Sequence, residues 1–223
     1  MEAATQTPTA PRKLGRLEWA AIAGVMSREV SNFLTYWKGT TFSSVLEPLV
    51  YLLAFGLGLS ATLVDEDDGI PYIEFVGTGM VATAVIFSSA LPSIFGPFLK
   101  HRFQNPYVAI LAAPVDVEEL VSAEMLWIAI RSGTYGCVPL LVTIAFGLDP
   151  AWGMLLVPLF CFVTALGFAG FGVAMAATVA KIDQFNYVTA LFVTPLFLVS
   201  GAFFPIDELP EGVQVVAQLN PLH

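Results

Sequence analysis

Five long apolar runs constrain this chain more than any other feature: residues 42–64, 72–99, 120–147, 152–180 and 186–204. A helix rises ~1.5 Å per residue, so each run is about long enough to cross a bilayer's hydrocarbon core of ~30 Å. Composition agrees with that reading. Charged residues make up 12% of the chain, about half the share expected of a soluble domain. Mean hydropathy is +0.77. The expected fold is an all-α polytopic membrane protein.

The connections between the runs carry opposite charge on alternate sides. Arg12, Lys13, Arg16, Arg28 and Lys38 precede the first run, Lys100 and Arg102 follow the second, and Lys181 follows the fourth. These are eight of the nine basic residues. The acidic turn at Asp65–Asp68, the turn at Asp149 and the tail at 205–223 hold none. The bias of Lys and Arg toward the cytoplasmic side predicts a cytoplasmic N-terminus, with residues 100–119 and the Lys181 turn on the same side and the tail outside. The net charge of −9 is then a property of the outer surface and calls for no nucleic-acid partner.

Residues 1–16 are polar and Pro-rich, with no apolar signal core, and are expected to be disordered and cytoplasmic. Residues 17–40 form an amphipathic helix with Ile22, Met26, Phe33 and Trp37 roughly on one face. That helix lies in the membrane interface or packs on the protein itself. Residues 41–223 make up the transmembrane domain. Its last part, 205–223, reads as an extracytoplasmic hairpin or a partly dipping helix.

The polar interruption at 100–119 is the most informative connection. Pro106 and Pro114 bracket a short apolar piece, and each proline breaks any helix that would cross it. Asp116, followed by Glu118 and Glu119, reads as an N-cap with acids in the first turn of the next helix. The segment is therefore a structured loop with a short helix across it, suited to contact with something outside the membrane.

Glu47 and Arg131 are the clearest ionisable residues inside spans. Such groups are costly in lipid and usually pair or face an aqueous cavity. A Glu47–Arg131 pair, a part in handling substrate, and snorkelling of Arg131 are the three readings. Ala165-Ala169 and Gly172-Ala176-Ala180 follow the small-xxx-small pattern of close helix contact, within one subunit or at a dimer seam. Tyr72, Trp127, Trp152 and Tyr187 fit an aromatic belt.

Catalytic patterns are missing from the sequence. Cys137 and Cys161 lie in apolar runs and read as buried free thiols. The two histidines are His101 and His223, so Ser200-Gly201 has no intramembrane base to activate it. There is no GxxxxGK[ST] motif to hold a nucleotide. The chain reads as a transport subunit, not an enzyme, and binds no cofactor itself.

Several motifs have a family likeness. Glu47-Pro48-Leu49 opens the first run, and Phe55-Gly56-Leu57-Gly58 follows. Residues 107–115 read YVAILAAPV, before Glu118-Glu119 and Glu124. Residues 194–210 read TPLFLVSGAFFPIDELP. From about Arg28 onward the chain resembles the permease subunits of ABC-2 type exporters, in particular the nodulation-protein-J-like branch. That resemblance implies an ABC-2 (type V exporter) transmembrane domain of six spans, of which five are visible here, so a sixth is expected beyond this sequence. It implies a second permease copy, surrounding membrane lipids, and a separate dimeric ATPase that carries ATP and Mg. It makes 100–119 the coupling loop, with Asn105, Pro106, Tyr107, Leu111, Pro114, Asp116, Glu118 and Glu119 as contact residues. It implies export of a lipo-oligosaccharide, polysaccharide or drug across the cytoplasmic (inner) membrane of a prokaryote. Glu47, Arg131, Phe197, Phe203 and Phe204 are the candidates for lining the path. An ion-coupled carrier or membrane scaffold acting without an ATPase is the other reading. A carrier would favour several buried acids at mid-span, whereas Glu47 is the main one.

Overall fold

The computed structural model describes residues 17–57, 72–104, 106–145 and 151–200. The expectations for residues 1–16, the acidic turn at 65–68, the Asp149 turn and the tail lie outside the described residues. So do Asn105, Phe203 and Phe204 and the side chain of Glu47.

All regular structure among the described residues is helical. Helix α1 spans Trp19–Tyr51 and continues as a wide turn, Leu52–Leu57. Helix α2 spans Tyr72–Leu99, with a second wide turn at Lys100–Gln104. The short α3 is Pro106–Leu111, and α4 is Val117–Ala145. A tight turn at Trp152–Leu156 leads into α5, Val157–Thr178. Helices α6, Gln184–Val188, and α7, Thr194–Leu198, form one apolar stretch with the wide turn between them. Among the described residues, three helices are long and apolar enough to cross a membrane: Phe75–Phe103, Val117–Ala145 and Trp152–Thr178. These are the second, third and fourth predicted spans. The shorter apolar stretch Gln184–Leu198 is the start of the fifth. The first continues from α1 into residues outside the described set.

The amphipathic segment and the first span are one helical run with a bend, not two elements parted near residue 41. Tyr36 leaves helical geometry at φ −130°, ψ 20°. No proline lies there. The hydroxyls of Ser31, Thr35 and Thr40 instead donate to carbonyls four residues back, at 2.9, 3.2 and 3.4 Å. Such back-bonding loosens the helical ladder and bends it. Before the bend, Ile22 and Val25 are buried against Leu120 and Ala123 of α4, with Tyr107, Ile110 and Val115 closing the layer. Of the two placements open to this helix, this face takes packing on the protein.

Helix α2 is the centre of the bundle. Ile86, Ala90, Ile94 and Phe98 pack with Phe168 of α5, Phe185 of α6 and Val193. Val85 packs with Ala129, Cys161 and Ala165. The small residues of α5 face inward: Ala165 and Ala169 are fully buried. A side chain on Gly172 would run into Ser93 of α2. Ala165, Ala169 and Gly172 are thus spent on contact within the subunit, where short side chains let backbones approach, while Ala176 is half-buried and Ala180 exposed. Trp152 and Tyr187 are exposed, as a belt requires. Trp127 instead stacks edge-on against Phe33 of α1, with ring centroids 5.5 Å apart.

Pro92 explains one hydroxyl. It lies inside α2 and has no N–H to offer the carbonyl of Ser88, four residues back. Ser132 of α4 supplies the missing donor: its hydroxyl donates to the Ser88 carbonyl at 2.7 Å, fully buried. Ser132→Ala should cost about 1–3 kcal/mol of stability by stranding that carbonyl. In a Pro92→Ala background the backbone amide returns, so the same change should cost less. Thermal unfolding of the four detergent-solubilised variants checks this; equal costs in both backgrounds would count against the assignment.

Candidate functional site

Helix α3 and its flanks are held at the α3 end of the bundle by two sets of polar contacts. The first is a shared cap. Glu119 is 1% exposed. Its Oε2 accepts the Asp116 N–H at 2.9 Å, and its Oε1 accepts the Glu18 N–H at 2.8 Å. The first contact is the backward arm of a capping box at the start of α4. The second satisfies an unpaired donor at the start of α1. One carboxylate thus joins two helix N-termini, where negative charge is favourable.

The second set is an ion cluster. Lys100 leaves the wide turn after α2 and points its ammonium between two carboxylates. Nζ lies 2.7 and 2.9 Å from the oxygens of Glu124 on α4, and 2.8 Å from Glu29 Oε2 on α1. Arg28 backs Glu29 at 2.8 Å. The Tyr107 hydroxyl of α3 donates to Glu124 Oε1 at 3.2 Å. The side chains of Glu29 and Glu124 are 5% and 4% exposed. Two bases balance two acids; α1, α4 and the turn after α2 meet at one ammonium, and α3 joins through Glu124. Burial, then the Glu124 charge, raises the Tyr107 phenol far above its ordinary 10.0, so it stays a donor.

The predicted contact residues divide on this frame. Leu111, Pro114 and Glu118 are exposed, as is Val108. Pro106, Tyr107 and Asp116 are half-buried. Glu119 is turned inward and serves as the cap, so of the two acids Glu118 is the one with an outward face. Lys100, Glu29 and Glu124 were not among the predicted site residues. Their signal in the sequence is a set of opposite charges at the same end of neighbouring spans.

Above the cluster, α1 and α4 run side by side in parallel. Glu29 and Glu124 meet at Lys100, Phe33 stacks on Trp127, and Thr41 Oγ1 bonds the Tyr135 hydroxyl at 2.9 Å. Arg131 falls in this register level with Tyr36 and Trp37, between the Phe33–Trp127 and Thr41–Tyr135 contacts. The pairing expected of Glu47 and Arg131 rests on the Glu47 side chain, which lies outside the described residues. Arg131 Nε is buried with no hydrogen-bond partner. Phe197 of α7 is half-buried and stacks edge-on against Phe87 of α2, with centroids 5.1 Å apart. No group of three or more metal-binding side chains occurs among the described residues.

Residues 21–223 match the sequence profile described as ABC-2 type transporter. The chain belongs to the ABC-2 type transporter family. It is 33% identical to Nodulation protein J of Rhizobium meliloti (strain 1021) over 196 residues, covering 86% of this chain and 74% of that protein. Nodulation protein J of Rhizobium leguminosarum bv. viciae is 29% identical over 212 residues, 93% of this chain and 79% of the relative. The inner membrane transport permease YadH of Escherichia coli (strain K12) is 23% identical over 206 residues, 92% and 80% of the two chains. No solved structure matches. With its apolar helices, this ABC-2 chain is a multi-pass membrane protein.

Two outcomes follow for the ion cluster. Lys100→Met leaves the buried Glu124 without a cation and Glu29 with Arg28 alone, and should cost about 3–5 kcal/mol. Adding Glu124→Gln should recover a large part of that loss in thermal unfolding; no recovery would argue against direct coupling. Tyr107 has a pH signature. Its phenol ionises less readily folded than unfolded, so its stabilisation is complete below pH ~10 and declines as pH rises through that value. Tyr107→Phe should flatten that alkaline decline in Tm measured from pH 8 to 11.

Proposed function

We propose that this chain is the permease subunit of an ATP-driven exporter. The observation that carries the reading is the short helix α3, set between two membrane-capable helices and joined by Tyr107 to Glu124, whose lysine partner also holds α1. A membrane subunit without a nucleotide motif needs a mechanical contact with its energy source. A short helix with Val108 and Leu111 outward, flanked by the exposed Pro114 and Glu118, suits such a contact. A dimeric ATPase carrying ATP and Mg is the proposed partner, and a second permease copy completes the pathway.

In this mechanism, nucleotide-driven movement of the ATPase displaces α3 as a rigid body. Tyr107 carries the shift to Glu124, and Lys100 passes it to the segment of α1 before the Tyr36 bend. Spans one to three then move together at one end. The Lys/Arg bias supports placing α3 and the N-terminus in the cytoplasm of a prokaryote, with the spans in its inner membrane. The resemblance to the nodulation-protein-J-like branch implies an amphipathic cargo of the lipo-oligosaccharide kind. A polysaccharide or a drug is the next choice. Glu47, Arg131, Phe197, Phe203 and Phe204 remain the proposed path residues.

Co-purification is the test. Expressed in its native host and solubilised mildly, the chain should bring a P-loop ATPase with it in about equal amounts. Glu118→Lys, which leaves the Glu119 cap intact, should weaken that association roughly tenfold, the scale of one lost charge contact. Pro114→Gly should keep the association but lower export. A chain that purifies alone and stable would sink the exporter reading and favour a carrier or scaffold.

A further inference from the structure

The cation at the centre of α4 has no matching anion among the described residues. Arg131 is the middle residue of Val117–Ala145. About 21 Å of helix separates it from either end, more than a side chain spans by snorkelling. Its Nε is buried and has no hydrogen-bond partner. Glu124, two turns back on the same helix, and Glu29 beside it are held by Lys100. Glu124 also accepts Tyr107, and Glu29 accepts Arg28. The Tyr135 hydroxyl is taken up by Thr41. No ion pair forms at Arg131 among the described residues, although a charged group at this depth ordinarily has a partner.

The surroundings are open on one side. Tyr36 and Trp37, at the bend of α1, are exposed, and so are Ile130 and Thr134 on α4. Arg131 itself keeps part of its surface. Leu141 lies two further turns along the same exposed side of α4. The seam between α1 and α4 thus presents a cation at the rim of an apolar strip. A planar guanidinium suits phosphate and carboxylate, which it binds through two parallel hydrogen bonds.

We propose that Arg131 forms a subsite for the anionic headgroup of an amphipathic molecule that enters from the bilayer between α1 and α4. The headgroup is a phosphate or carboxylate, and its apolar tail lies along Ile130 and Leu141. This names the chemistry of the cargo and so rests on the exporter reading. The binding itself is testable without it.

The full chain, purified in mild detergent with any ATPase it carries, is titrated with fluorescent phosphatidic acid. Phosphatidylcholine with the same acyl chains is the control. The wild type should prefer phosphatidic acid about tenfold, the worth of one charge-assisted contact. Arg131→Gln should abolish the preference, and Arg131→Lys should keep part of it. Retention of the full preference by Arg131→Gln would overturn the proposal. So would displacement of the lipid by inorganic phosphate at equal concentration, because the ligand would then not need a tail. Dissociation of an oligomer by Arg131→Gln, with no lipid preference in the wild type, would assign the missing anion to a second copy and also overturn it. Should Arg131→Gln fail to fold, phenylglyoxal labelling of the wild type gives the answer. Phosphatidic acid, but not phosphatidylcholine, should protect Arg131, as read by peptide mass, and equal labelling would refute the subsite. Absence of a co-purifying ATPase would count against the exporter reading alone.

Discussion

A single ammonium group holds the α3 end of this bundle in register. Lys100 lies within 2.9 Å of three carboxylate oxygens from two helices. Apolar contact at the same level, between Ile22, Val25, Leu120 and Ala123, supplies cohesion but little direction, because burial of apolar surface is insensitive to orientation. The ion cluster is directional. A shift of one helical turn would separate the cation from at least one acid and leave that acid buried and unpaired. Register at this end is therefore a choice between discrete positions rather than a continuous slide, which is the property a mechanical relay requires.

The remainder of the bundle is built on different chemistry. Between helices in lipid, apolar side chains gain little over their contact with lipid tails, so association depends on close approach and on hydrogen bonds. The contacts of α2 follow that rule. Gly172 lies against Ser93, the Ser93 hydroxyl donates to the Phe168 carbonyl at 3.2 Å, and Ser132 serves the carbonyl freed by Pro92. The proline would weaken α2 if it stood alone. With Ser132 opposite, it becomes a point of attachment between α2 and α4.

The legible part of the sequence was what repeats or sits close together. Long apolar runs showed where α2, α4 and α5 lie, two prolines marked α3, and the spacing of Asp116 and Glu119 marked the start of α4. The ion cluster was not legible, because Lys100 is 71 residues from Glu29 and 24 from Glu124, and pairs across elements leave no periodic trace. Glu119 looked like one half of an exposed acidic pair; only its contact with the Glu18 amide, 101 residues away, reveals it as a cap. The bend at Tyr36 was hidden for a local reason. Its cause is a series of side-chain hydrogen bonds from Ser and Thr, which are equally common in straight helices that point those groups to water.

The shared cap also bears on how the chain is made. The carboxylate that receives the Glu18 amide belongs to a residue synthesised 101 positions later. At ~5–20 residues per second, the first part of α1 waits roughly 5–20 s for its partner. Throughout that interval Ile22 and Val25, later buried, have no α4 to cover them. The membrane surface is the natural place for an amphipathic helix to wait. Packing of this helix against the protein becomes available only once Leu120 and Ala123 of α4 have been made.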